Sequence, residues 1–185
     1  EDMRAFSVEL TRRANGVYHV ITQSEYIDRD IAEFTRSYNN VLIGVKSLWE
    51  GVDVPGMRLR VVIIPRLPFP NPSDLLHTAR KNLVQTRRIA AGEDPKKVGM
   101  QLFQDFDLQM VAMDIAQGAG RLIRKETDFG LLVFLDPRMH SGVKGYSNSL
   151  RNLLPHPPVS SRQEVDQMIQ ILNSLAAREK AANGA

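Results

Sequence analysis

The sequence contains no cysteine. Disulfides, iron–sulfur clusters, thiolate–zinc sites and a cysteine nucleophile are therefore excluded within this chain. That composition permits a reducing compartment, and a cytoplasmic location is the expectation. Any run of about 20 apolar residues is also missing, so no transmembrane helix and no membrane partner are predicted. The first residues, EDMRAFSVELTRRANG, are acidic and amphipathic, without the basic start and apolar centre of a signal peptide. No glycine directly precedes a lysine, which rules out a GxxxxGK[ST] phosphate loop. No Asp-Glu pair follows a strand to hold a catalytic magnesium ion. Asp74-Leu75-Leu76-His77 has the outline of a D-E-x-H box, but it lacks the glutamate and follows a proline loop; it reads as the first turn of a helix. His19, His77, His140 and His156 have no metal-like spacing, so no metal site is predicted. A strong excess of one charge is absent too: Lys plus Arg is 24 and Asp plus Glu is 21, for a net charge of +3 and a pI near 9.3. So small an excess argues for a nucleic-acid face only through where the basic residues sit.

What is present is a chain of 185 residues, 43% hydrophobic and 24% charged. These fractions exclude disorder and collagen, and the length suits one compact domain with a real core. Met3, Phe6 and Leu10 recur at helical spacing and are followed by Asn15-Gly16, which predicts a helix with a glycine-type end. Strands are predicted at 17–21, 41–45, 59–64 and 131–135, and a helix at 24–37. Three of these strands are continuous apolar runs, as expected for strands covered on both faces of a parallel α/β sheet. PRLPFPNPSD (65–74) is an ordered proline-rich loop. Ser73 is predicted to cap a helix reaching Ala91, a polar break follows at 92–99, and a long helix runs from about Met100 to Arg124. Ser161 and Glu164 form a capping box for a last helix striped by Val165, Met168, Ile169, Leu172 and Leu175. Residues 176–185 are expected to fray.

Two segments carry chemistry. In QGAGRLIRKETDFG (117–130), Gln117, Arg121 and Arg124 are spaced 0, +4 and +7, which places an amide and two guanidiniums on one helical face. Gly118, Ala119 and Gly120 remove bulk where another surface must approach. Two glycines cost a helix roughly 1 kcal/mol each relative to alanine, so something should compensate. A fixed arginine pair fits the charge and fork geometry of a transferring phosphate. The bland alternative is surface ion pairing of the arginines with Glu126 or Asp128. In KSLWEGVDVPG (46–56), a strand end leads into a glycine turn, where α/β folds place ligands. Ser47 and nearby amides suit a phosphate. Trp49 suits either base stacking or the core. Glu50 and Asp53 flank Gly51 and can orient arginines or water, or simply be solvated. The doublets Arg12-Arg13, Arg87-Arg88 and Lys96-Lys97 read as solvated faces, with phosphate contact as the lesser alternative.

SLWEGVDVPG, VVIIPRLPFPNPSD and QGAGRLIRKETDFGLLVFLDPR together resemble the second motor domain of DinG-type superfamily 2 DNA helicases, bacterial relatives of the XPD helicase. The resemblance covers residues 40–155 and, more loosely, the whole chain. It implies a RecA-like three-layer αβα domain with a central, mainly parallel sheet. The E-G-x-D segment matches the family's motif V. This implies Glu50, Gly51 and Asp53 at the cleft between motor domains, with Lys46, Ser47 and Trp49 near single-stranded DNA. The Q-x-x-G-R-x-x-R segment matches motif VI. It implies that Gln117, Gly120, Arg121 and Arg124 face ATP held by the other motor domain, with Arg121 and Arg124 as arginine fingers.

On this resemblance the whole chain is one N-terminally incomplete helicase motor domain. The intact protein would be an ATP-dependent DNA helicase using ATP and Mg2+, with a role in DNA repair. Its partners would be single-stranded DNA and a first motor domain carrying the phosphate loop and any iron–sulfur cluster. The chain by itself would bind no cofactor and hydrolyse no ATP. Two rivals share these residues: a non-catalytic nucleic-acid or partner-binding module, and an RNA helicase domain.

Overall fold

Helix α1 (Asp2–Ala14) stops where the sequence says it should. Asn15 and Gly16 adopt φ values of 46° and 79°, left-handed backbone that glycine takes without steric cost and asparagine tolerates. The computed structural model describes all residues except 1, 52, 53, 55–57, 124–127, 141, 155–157, 160, 184 and 185; the side chains of residues 2, 50, 51, 179, 180, 182 and 183 also lie outside the described part. The chain divides into two compact units, Glu1–Val61 with Gly120–Gly130, and Val62–Ala119 with Leu131–Ala185.

In the first unit, β1 (His19–Thr22) and β2 (Asn40–Ile43) pair in parallel, in the register His19 to Asn40 through Thr22 to Ile43. Parallel neighbours need a crossover, and α2 (Ile27–Phe34) supplies it. Ile27, Ile31 and Phe34 point into a core with Ile21, Leu42 and Leu48. Asp30 is buried in the turn that starts α2, where it accepts the Ser24 N–H at 2.6 Å and the Ser24 hydroxyl. The Ser24 N–H, and then its hydroxyl, hold this carboxyl below its ordinary range. Ser7 of α1 meets Thr22 through their hydroxyls at 2.5 Å, which ties α1 to β1. The short α3 (Ser47–Gly51) follows β2.

Strand β3 (Val61–Ile64), which enters the second unit at Val62, pairs with β4 (Leu131–Phe134), and Leu135 N–H continues the pairing to Ile64 O at 3.0 Å. Helix α4 (Leu75–Ala90) is capped by Asp74, not by the predicted Ser73: its carboxylate accepts the N–H groups of Leu76 and His77, each at 3.0 Å. The would-be D-E-x-H box is thus a helix cap. Pro95 opens α5 (Pro95–Leu102), with Asp94 as cap. Helical backbone then continues through a π-helical stretch, Phe103–Leu108, into α6 (Gln109–Gly120). Pro137–Met139 form one 3-10 turn, followed by α7 (Ser147–Leu153) and α8 (Arg162–Asn183). The capping box holds, with Glu164 N–H on Ser161 Oγ at 3.2 Å and Ser161 N–H on the Glu164 carboxylate at 3.3 Å. Val98, Leu102, Leu108, Val111 and Ile115 are almost wholly buried.

Of the expected central, mainly parallel sheet, the described strands show two two-stranded pieces, of which β1–β2 is parallel. One expectation needs correction. The long helix was predicted over 100–124; helical backbone begins earlier, since Asp94 and Pro95 make a strong start, and α6 ends at Gly120, where glycines replace helix-favouring residues. Helix α8 runs to Asn183, into the stretch expected to fray.

Candidate functional site

The end of β1 and the start of α3 are joined by one side chain. Gln23 follows β1 and donates its own N–H to Ile43 O at 2.8 Å. Its amide oxygen accepts the Val45 N–H at 2.9 Å, and its amide nitrogen donates to Ser47 Oγ at 3.0 Å. Gly44 makes this crossing possible, because a Cβ there would lie 2.5 Å from Gln23 Oε1 and collide with Leu48. Lys46 and Ser47 are exposed and Leu48 is buried. Trp49 is half-buried and packs against the first unit's core. Gly51 ends α3, Glu50 contributes described backbone only, and Asp53 lies outside the described residues.

The arginine segment returns to this place. Arg121 and Leu122 form a turn after α6, and Arg121 Nε donates to the backbone oxygen of Trp49 at 2.6 Å. Two segments 72 residues apart are thereby brought into contact within one unit. Leu122 is buried, and Arg60 lies over the Phe129 ring at 4.9 Å, which anchors both ends of the described segment. Gln117 is an exposed residue of α6 and belongs to the other unit, and Gly120 is the last residue of that helix. Among the described residues, a Cβ added to Gly120 meets nothing within 4 Å. The shared helical face predicted for Gln117, Arg121 and Arg124 needs correction: α6 stops before Arg121, so helical spacing no longer relates the three. Arg124 lies outside the described residues.

A profile of the helicase C-terminal domain family matches residues 3–157. The chain belongs to this family. It is similar to the ATP-dependent helicase DinG of Mycobacterium tuberculosis (strain ATCC 25177 / H37Ra), with 36% identity over 153 residues, 83% of this chain and 21% of the relative. Similarity extends to the ATP-dependent DNA helicase YoaA of Haemophilus influenzae, 33% identical over 78% of this chain and 20% of the relative. The 3'-5' exonuclease DinG of Bacillus subtilis is 35% identical over 69% of this chain and 12% of the relative. The chain thus spans about a fifth or less of the length of these relatives. The DinG-type resemblance read from the three motif blocks is borne out.

Among the described residues of this helicase C-terminal domain, no group of three His, Asp or Glu is placed to hold a metal. A chain without cysteine likewise offers nothing to an iron–sulfur cluster. Among the described residues no helix is long and apolar enough to cross a membrane. Arg12 and Arg13 both pair with Glu9 on the surface of α1, in keeping with a solvated face.

Three polar residues escaped the sequence reading. Gln23 is one. Asp107, in the π-helical stretch, is buried and accepts His77 Nε2–H at 2.7 Å while pairing with Lys81. Asp136, after β4, is buried; it accepts the Leu67 N–H at 2.8 Å and holds Arg138 at 2.6 Å. Arg138 in turn lies 4.9 Å over Phe69, within the proline-rich loop, and Phe69, Phe103 and Tyr146 pack together with centroids 5.1–6.1 Å apart. Apart from Arg138, two residues from Asp136, the partners are distant in sequence; for Gln23 and Asp136 the local signal was a polar residue at the end of an apolar run.

Proposed function

We propose that this domain is the second motor of an ATP-dependent DNA helicase, working on ATP held mainly by another motor domain. Arg121, with Arg124, supplies guanidiniums to the transferring phosphate; Gln117 is the third polar residue of that motif. Such an arginine contributes about 10³–10⁵ in rate by stabilising charge in the transition state. Lys46 and Ser47, with half-buried Trp49 beside them, form part of a groove for single-stranded DNA. Glu50, Gly51 and Asp53 connect groove and cleft.

The observation that carries this reading is the hydrogen bond from Arg121 Nε to Trp49 O. It ties the arginine segment to the DNA-side segment, so movement of one is felt by the other. The open space beside Gly120 also supports it, since among the described residues no neighbour demands glycine there. The names of the relatives, ATP-dependent helicases and a DNA helicase, favour the same activity. The domain supplies positioned cations and a strand-binding edge; the triphosphate and its metal need ligands from elsewhere in the intact protein.

In the intact protein, Arg121→Ala and Arg124→Ala are each expected to reduce ATP turnover by at least 10²-fold while single-stranded DNA binding stays within about twofold. Unchanged turnover in both would overturn the finger assignment. Unwinding of matched DNA and RNA forks tests the substrate: equal or better RNA unwinding would replace DNA by RNA, and DNA binding without turnover in the parent protein would leave a binding module.

A further inference from the structure

We infer that Gln23 is a positioning residue that fixes Ser47 as an outward-facing hydrogen-bond donor to a backbone phosphate oxygen of the nucleic-acid strand. The inference rests on the proposed DNA groove and adds the residue that sets its chemistry.

The polarity follows from the partners, not from how the amide is drawn. The Val45 N–H can only donate, so the end of the Gln23 amide facing it at 2.9 Å must be the oxygen. The other end is then NH₂, which can only donate, and it faces Ser47 Oγ at 3.0 Å. The serine oxygen must accept, so its own proton points elsewhere. Among the described residues the Ser47 hydroxyl has no other hydrogen-bond partner, and the residue is exposed. The O–H is thus presented to solvent as a donor of fixed sense.

A phosphodiester oxygen is acceptor-only and negatively charged, which suits a fixed donor. Exposed Lys46 is the neighbouring residue and adds charge of the right sign. The support is rigid. Gln23 is bonded to the strand end through Ile43 O, and Gly44 leaves its side chain room to cross. Leu48, next to Ser47, is buried in the core. A freely rotating serine would pay an ordering cost on binding that this one has already met.

The test uses the intact protein and a double-mutant cycle of Ser47→Ala and Gln23→Met. Single-stranded DNA affinity and DNA-stimulated ATP turnover are measured for each. Ser47→Ala should weaken DNA binding about tenfold, as for loss of a hydrogen bond to a charged acceptor. Gln23→Met should raise the half-saturating DNA concentration about threefold or more, with turnover at saturating DNA within twofold. In the Ser47→Ala background it should change affinity by less than twofold. Gln23→Glu keeps the acceptor for Val45 N–H but makes Ser47 donate inward, and should weaken DNA binding more than Gln23→Met. No effect of Ser47→Ala would remove the phosphate contact and the inference with it. A Ser47→Ala effect alongside a silent Gln23→Met, a fully multiplicative double variant, or a fall in saturated turnover without a shift in half-saturation would overturn the inference alone.

Discussion

Asp136 accepts the backbone N–H of Leu67 at 2.8 Å, across 69 residues of sequence, and thereby fixes the start of the proline-rich loop against the end of β4. The acceptor comes from outside the loop, whose extended backbone forms no ladder. The same carboxylate holds Arg138, whose guanidinium covers Phe69. One buried side chain therefore sets Leu67 of the loop and one face of its Phe69 ring. Asp136→Ala removes an acceptor from a buried N–H and a partner from a half-buried cation, and should cost about 3 kcal/mol of stability. A urea-unfolding midpoint equal to the parent's would contradict that role.

The pH dependence has a defined sign. Arg138 foremost, followed by the N–H groups of Leu67 and Arg138, lowers the Asp136 carboxyl from 3.8 to about 2 against the opposing effect of burial. A carboxyl depressed in the folded state contributes stability above its unfolded value and loses it as pH falls through the folded value. The contribution should be complete above about pH 4 and gone near pH 2, amounting to about 2 kcal/mol. Glu9 is also lowered to about 2, by Arg12 and then Arg13, but these groups lie on the exposed face of α1, where solvent screens them. Stability curves from pH 5 to 2 should therefore flatten in Asp136→Asn and remain almost unchanged in Glu9→Gln.

Asp107 offers a second test of a long-range polar contact. The side chains of Asp107 and His77 are 10% and 12% exposed, and Lys81 completes the set from one turn further along α4. Asp107→Ala would leave a cation and a ring N–H without their carboxylate in a poorly hydrated site, at a cost of about 3 kcal/mol. Hydrogen exchange should show the loss first in α4 and the π-helical stretch. If only chain termini exchange faster, the triad is not what joins them.

How much of this was legible depended on range. The end of α1 and the capping box of α8 were readable because Asn15-Gly16 and Ser161/Glu164 act within one helical turn. The π-helical stretch was not, because Phe103, Phe106 and Leu108 keep an apolar rhythm that does not distinguish one helix type from another. The pairing of the strands was hidden for a related reason: apolar runs announce strands but not their partners. For the candidate site, the sequence singled out both Trp49 and Arg121, and only the fold reveals that they touch. Gln23 stayed invisible because its meaning lies in partners 22 and 24 residues away.

Two glycines of the candidate site predict opposite responses to the same substitution. At Gly44, a Cβ would press on Gln23 Oε1 and Leu48, and the leucine is buried and unable to retreat. Gly44→Ala should cost about 1–3 kcal/mol by overpacking, and should weaken DNA binding because displacing Gln23 releases Ser47. At Gly120 a Cβ meets nothing within 4 Å among the described residues. Gly120→Ala should hold or raise stability, by up to about 1 kcal/mol, since alanine loses less conformational freedom in a helix. If the space beside Gly120 is needed by an apposed motor domain, the same variant should nevertheless lower ATP turnover in the intact protein. Thermal unfolding and turnover measured on the same preparations separate the effects. A Gly120→Ala protein that is both as stable and as active as its parent would show that no surface closes on that residue.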